Sequence, residues 1–220
     1  MVWNFLCNLE RAAHFQNGQG GSSLANPKNM NRNLKDDLRR KNTKLCQHEA
    51  SHYVCSKHLG FNMVGCHIKA QGIRLTGVCE INVEEAISDI PSMINYAERR
   101  IQGLFAGAIG EALEGDAVNN GNAITLIGSD YECRSDHDKI RELIRLLANA
   151  THAEGDSTET RLNEIDRRLW IATTALVEKY ADQIYSLRDA MLRAWDKLNG
   201  SDGEASLTSE ECDAAMGISD

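Results

Sequence analysis

Proline is almost missing from this 220-residue chain, which has two. With so little to break periodic runs, a mainly helical protein is expected. Aromatic residues are 5% of the chain, so Leu, Ile and Ala must fill most of a core. No run of about eighteen apolar residues occurs, so no membrane span is expected. The stretch Met1–Phe15 carries Glu10 and Arg11 and lacks a basic lead-in, so it does not read as a secretory signal. The seven cysteines are odd in number and contain no C-x-x-C pair, which excludes a readable disulfide framework or zinc ribbon. Reduced thiols in a cytoplasmic setting are expected. Positive charge is in deficit: 24 Lys and Arg against 32 Asp and Glu, a net charge of -8, which argues against nucleic acid as a partner. No G-x-x-x-x-G-K-[ST] occurs either, so no nucleotide-binding P-loop is expected.

What the chain does have is His48-Glu49-x-x-His52. On a helix, residues four apart share a face, so two imidazoles can grip one Zn²⁺ while Glu49 reaches a water beside it. The alternative is two histidines and a glutamate on a solvated helix face. Cys46 and Cys55 flank the pair, and small core residues are the simpler account of them.

The organisation expected around this motif has three parts: residues 1–32 as an N-terminal segment and flexible linker, 33–200 as the domain, and 201–220 as an acidic tail. Val2, Trp3, Leu6, Leu9 and Ala13 allow a short terminal helix, and 16–33 is rich in Gly, Ser and Asn. Residues 34–59 support a helix or two in succession, with Gly60 as a stop. Val64, Cys66, Ile68 and Ala70, then Ile73, Leu75, Gly77, Cys79 and Ile81, alternate about a turn at Gln71-Gly72, the pattern of a β-hairpin. The free edge of such a hairpin can hold an extended peptide; it can equally be a cover for the core. Asp89-Ile90-Pro91 starts an apolar helix running to Ala112 and closed by Gly115, whose small residues let another helix approach. Residues 116–134 read as loop, and helices follow over about 136–150 and, as one helix or a pair, 160–198. The last twenty residues hold six acidic side chains and no Lys or Arg.

A catalytic zinc needs a third protein ligand and an open position. The candidates are Glu111, Glu114, Asp116, Asp130, Asp136, His137 and Asp138. From Asp136, the positions four, seven and eleven on are Ile140, Leu143 and Leu147, a buried face. From Asp138 they lead to Glu142 and Arg145, a wet one. Ser135-x-x-Asp138 also resembles a capping box. Asp136 is therefore preferred, with Asp130, Asp138 and Glu111 left open. His67, Tyr53 and His137 are candidates for stabilising an oxyanion.

With these pieces placed, residues from about 45 to 216 resemble the peptidase domain of the FtsH-type membrane AAA proteases (peptidase family M41). His48-Glu49-Ala50-Ser51-His52 is similar to that family's H-E-A-G-H. Residues 100–115 are similar to its I-x-x-x-L-G-G-R-x-A-E-E-x-x-F-G helix, Ser135-Asp136 to the position of its Asp ligand, and Leu207-Thr208-Ser209-Glu210-Glu211 to its closing T-L-x-x-E-E segment. The resemblance implies a helical, zincin-like domain with a small sheet beside the motif helix, zinc on His48, His52 and Asp136, and Glu49 as base. Three departures stand out: Ser51 replaces the family's Gly, and neither an ATPase motif nor a membrane span is found. The expectation is an ATP-independent zinc metalloendopeptidase acting on unfolded or extended protein, with homo-oligomerisation open. The alternative is a non-catalytic zinc-binding interaction module or adaptor for a separate AAA partner.

Overall fold

A computed structural model describes residues 27–71, 74–128, 134–152, 157–198 and 202–218. The helix expected near the N-terminus, Cys7, Cys133, Asp130 and the Gln71-Gly72 turn tip lie wholly or partly outside them. Among the described residues the chain is mainly helical with a small antiparallel sheet: α1 Pro27–His58, β1 Asn62–Gln71, β2 Arg74–Asn82, α2 Ile90–Glu111, β3 Leu113–Glu114, β4 Ala117–Val118, α3 Asn120–Gly128, α4 Arg134–Ala150, α5 Thr158–Lys179, α6 Ala181–Asp196, β5 Gly203–Thr208 and α7 Ser209–Ala215.

The two longest-range organisers are α1 and α2. Every side chain of α1 from Cys46 to Ser56 is buried, so this part of the helix runs through the molecule rather than along its surface. It packs on α2, on α6 and on the β1–β2 hairpin, while α2 also packs on α3, α4 and α5. Asp89 starts α2 with a reciprocal capping box to Ser92, and Pro91 sits in the first turn, where its missing N–H costs nothing. At the other end, α2 leaves carbonyls without intrahelical partners. Gln47 Nε2 donates to the Gly110 and Leu113 oxygens at 2.7 and 3.0 Å, and Lys44 Nζ to the Glu111 oxygen at 2.6 Å. The polar side of the motif helix thus caps its neighbour.

The expected hairpin is present, with Cys66 opposite Cys79 and Ile68 opposite Gly77. Several boundaries differ from expectation. Helix α1 begins at Pro27, inside the stretch read as linker, because proline at a first helical position is preorganised rather than disruptive. Helix α2 ends at Glu111, and Gly115 instead lies in the tight connection between β3 and β4. Residues 120–128, read as loop, form α3: Asn119 accepts from the Asn122 amide at 3.2 Å, and Ala123 and Ile127, four apart, bury one face. Residues 160–198 are a pair of helices that part at Tyr180.

The segment 201–220, expected as an acidic tail, is built into the fold. Strand β5 pairs antiparallel with β1, giving the order β2-β1-β5, and α7 follows from a Thr208–Glu211 capping box. Cys212 is fully buried there, and Tyr53 and Lys57 of α1 reach Asp213. Its exposed positions Glu204, Ser206 and Thr208 are polar and alternate with Gly203, Ala205 and Leu207, of which Leu207 packs against the core.

Candidate metal centre

Four residues apart on α1, His48 and His52 turn their rings edge to face, with centroids 4.7 Å apart and Nε2 atoms at 3.0 Å. Both are buried, at 7% and 8% exposure. Asp136, in the first turn of α4, brings Oδ2 to 3.1 Å from His52 Nε2 and 3.7 Å from His48 Nε2. Among the described residues, these three are the group whose ligand atoms lie within 4.8 Å of one another.

The outer ring nitrogens say what this cluster is suited to hold. His52 Nδ1 lies 2.8 Å from the Gly103 carbonyl oxygen, which only accepts, so Nδ1 carries the proton. His48 Nδ1 faces Glu111 Oε2 at 3.3 Å, again an acceptor when ionised. In neutral rings this leaves both Nε2 lone pairs directed at each other and at a carboxylate, an arrangement that a cation between them, a proton or a metal ion, would satisfy. Tetrahedral ligands at about 2.0–2.1 Å from an ion lie about 3.3–3.4 Å from each other. The three separations bracket that spacing, so the residues fit a zinc ion.

Packing makes room for the arrangement. A Cβ on Gly107 would stand 2.4 Å from His52 Nε2 and 2.6 Å from His48 Nε2, so α2 passes the imidazoles as bare backbone. The same helix accepts the Ser51 side chain: a Cβ on Gly110 would lie 1.8 Å from Ser51 Oγ, which donates instead to the Gln47 oxygen at 2.7 Å. The Ser51 side chain is thus accommodated by a glycine on the partner helix.

Glu49, 8% exposed, points towards β2. The Cys79 N–H donates to its Oε2 at 2.8 Å, while Oε1 makes no hydrogen bond among the described residues. A Cβ on Gly77 would come within 2.6 Å of Glu49 Cγ, so β2 needs glycine there for the carboxylate to lie against the strand. Burial would raise the Asp136 carboxyl, but where protons rather than a metal ion occupy the two Nε2 atoms, the hydrogen bonds and charge of the His48 and His52 rings more than reverse this and hold it well below the usual carboxylate range. Burial pushes the neighbouring Cys46 and Cys55 thiols up to about 12, which fits core residues rather than ligands.

The other candidates separate cleanly. Glu111 holds the outer nitrogen of His48, a position that orients the ring. Asp138 is exposed, 3.9 Å from Arg134, and Ser135 lies inside α4 rather than capping it, so the expected capping box is not formed. Glu114 and Asp116 are exposed in the β3–β4 connection. Tyr53 donates to the Ser209 oxygen and Asp213, and His67 pairs with Ser206 and Glu80 on the outer side of the sheet, so neither faces the cluster. Sequence reasoning missed the Gly103 carbonyl and the Cys79 amide, which as backbone groups have no residue signature. The stripe Gly103, Gly107, Gly110 was the usable signal, since it marks where α1 must come close.

No model of a known protein family matches this chain, and no curated protein sequence matches it.

Proposed function

We propose that this protein is a zincin-like zinc metallopeptidase, an ATP-independent endopeptidase that hydrolyses peptide bonds in unfolded or extended protein segments. The observation that carries the reading is the convergence of two imidazole Nε2 atoms on one Asp136 oxygen, with Glu49 beside them offering a free carboxylate oxygen.

His48, His52 and Asp136 would hold the ion, with Gly103 and Glu111 fixing the two rings. Zinc held there supplies Lewis acidity, which polarises a carbonyl and acidifies a water molecule. Glu49 Oε1 takes the proton from the attacking water and returns it to the leaving amine, while the Cys79 N–H keeps the carboxylate from swinging away. Strand β2 is an edge strand, so an extended segment can pair along it with its backbone beside Glu49. That supports extended chain rather than folded protein as substrate. Five described cysteines are free, in keeping with a reducing cytoplasm. Two histidines and a carboxylate also suit non-haem iron, and the adjacent Glu49 is what favours hydrolysis.

Glu49→Gln is expected to lower cleavage of a flexible substrate such as casein by at least about a hundredfold while leaving one zinc bound per chain. Cleavage at the wild-type rate would remove Glu49 from the mechanism. Stoichiometric zinc in the wild type without cleavage of any unfolded substrate would instead support the non-catalytic module, and iron in the purified protein would redirect the chemistry.

A further inference from the structure

Three consecutive charges on α2 meet different surroundings. Glu98 pairs with Arg168 of α5. Arg99 is held by Glu85, by Asn95 Oδ1 and by the Leu59 carbonyl. Arg100 is half-buried and makes no hydrogen bond or ion pair among the described residues. A half-buried arginine can lay its apolar stem on the fold and keep its guanidinium in water, where the fork is open to a ligand.

Helical phase says where it is presented. Arg100 lies seven residues before Gly107 and eleven before Glu111, rotations that return to within about 20° of the same direction. Its face of α2 is therefore the one that passes the imidazoles and orients His48. Burial raises the Cys79 thiol on β2, the edge strand whose amide holds Glu49, and the nearby Arg100 charge offsets part of that rise. Along the α2 axis Arg100 stands about 10 Å from Gly107 at ~1.5 Å per residue. An extended chain covers that in about three residues at ~3.3 Å each.

The centre itself gathers carboxylates: Glu49, Glu111 and Asp136. With a divalent ion held there these three carboxylates more than balance its charge, whereas Arg100 carries a positive charge with no partner among the described residues, and its planar fork matches a carboxylate in a bidentate pair. We propose that Arg100 determines specificity by binding a carboxylate of an extended polypeptide about three residues along the chain from the bond beside Glu49. This rests on the peptidase reading above. The carboxylate comes from an Asp or Glu side chain or from the polypeptide's C-terminus, and the test separates the two.

The zinc-loaded full-length Glu49→Gln protein holds peptides without turning them over, so binding is read directly by fluorescence anisotropy. Labelled flexible peptides carry one Asp walked along the chain, each with its Asn counterpart, and each with a free or amidated C-terminus. At one position Asp is expected to lower Kd roughly tenfold relative to Asn. Adding Arg100→Gln erases that ratio, Arg100→Lys partly restores it, and Arg100→Glu turns the preference towards Lys at the same position. With Glu49 intact, the preference is expected in KM rather than kcat. If the C-terminus is the source, amidation carries the tenfold and the walked Asp does not. A Kd indifferent to charge at every position and to amidation overturns the role of Arg100. So does an Arg100→Gln effect equal for Asp and Asn peptides. In both cases cleavage by the wild type leaves the peptidase reading standing, whereas no cleavage of any peptide by the zinc-loaded wild type removes both.

Discussion

Asp136 of α4 and Asp166 of α5 lie on helices that pack against each other, and both are largely withdrawn from water. Their chemistry diverges. Asp166 has no hydrogen bond or ion pair among the described residues, and burial pushes its carboxyl up from 3.8 to about 6. At Asp136 burial pulls the same way, yet two imidazoles reverse the outcome and keep it ionised. Burial alone sets one sign, and a depressed buried acid appears where other elements bring cations or donors to it. Helix α1 does so for Asp136; among the described residues no element does so for Asp166.

The sharpest way to break this contrast is to deny the imidazoles their place. Gly107→Ala puts a methyl where both Nε2 atoms now lie, so zinc content is expected to fall from about one per chain to near zero. Ala suits a helix better than Gly, so helical circular dichroism should persist. Metal analysis after dialysis reads the result, and full zinc occupancy in that variant would mean the ion is held elsewhere. Glu111→Gln acts one step further out. It weakens the acceptor that holds His48 Nδ1 while leaving all three inward atoms present, and zinc affinity is expected to drop about 10- to 100-fold in competition with a chelating dye. An unchanged affinity would make Glu111 a bystander.

How much of this was readable beforehand depends on which interactions carry a sequence period. His48 and His52 share a helix face by spacing alone, and Asp136 declares its side through Ile140, all of which is local. The hairpin is legible for the same reason, since inward Gly77 and Cys79 alternate with outward Val78 and Glu80. Strand β5 was hidden because its partner is β1, far back in the chain, and because the carboxylates in and around it, Asp202, Glu204, Glu210 and Glu211, resemble a solvated tail. Glu111 stood among the candidate ligands, but whether it meets the inner or outer nitrogen of His48 depends on how α2 crosses α1, which no spacing encodes. The Cys79 amide and the Gly103 carbonyl belong to every residue alike, so only the folded chain singles them out.

The smallest expected effect comes from the other side of the comparison and has a distinctive pH signature. In the folded state Asp166 keeps its proton up to about 6, whereas in the unfolded chain it releases it near 3.8. Between those values the folded state binds more protons than the unfolded one, so this group's contribution to stability falls as pH rises through the window. The penalty is absent below about pH 4 and complete above about pH 6 or 7, on the order of 3 kcal/mol. Asp166→Asn keeps the shape and removes the charge. It is therefore expected to stabilise the protein by that order near pH 7 and to leave stability unchanged near pH 4, as read by urea unfolding at both. A stabilisation equal at the two pH values would trace to packing rather than to the charge. A loss of stability near pH 7 would mean that Asp166 has a partner after all, and the two carboxylates would then differ in degree and not in kind.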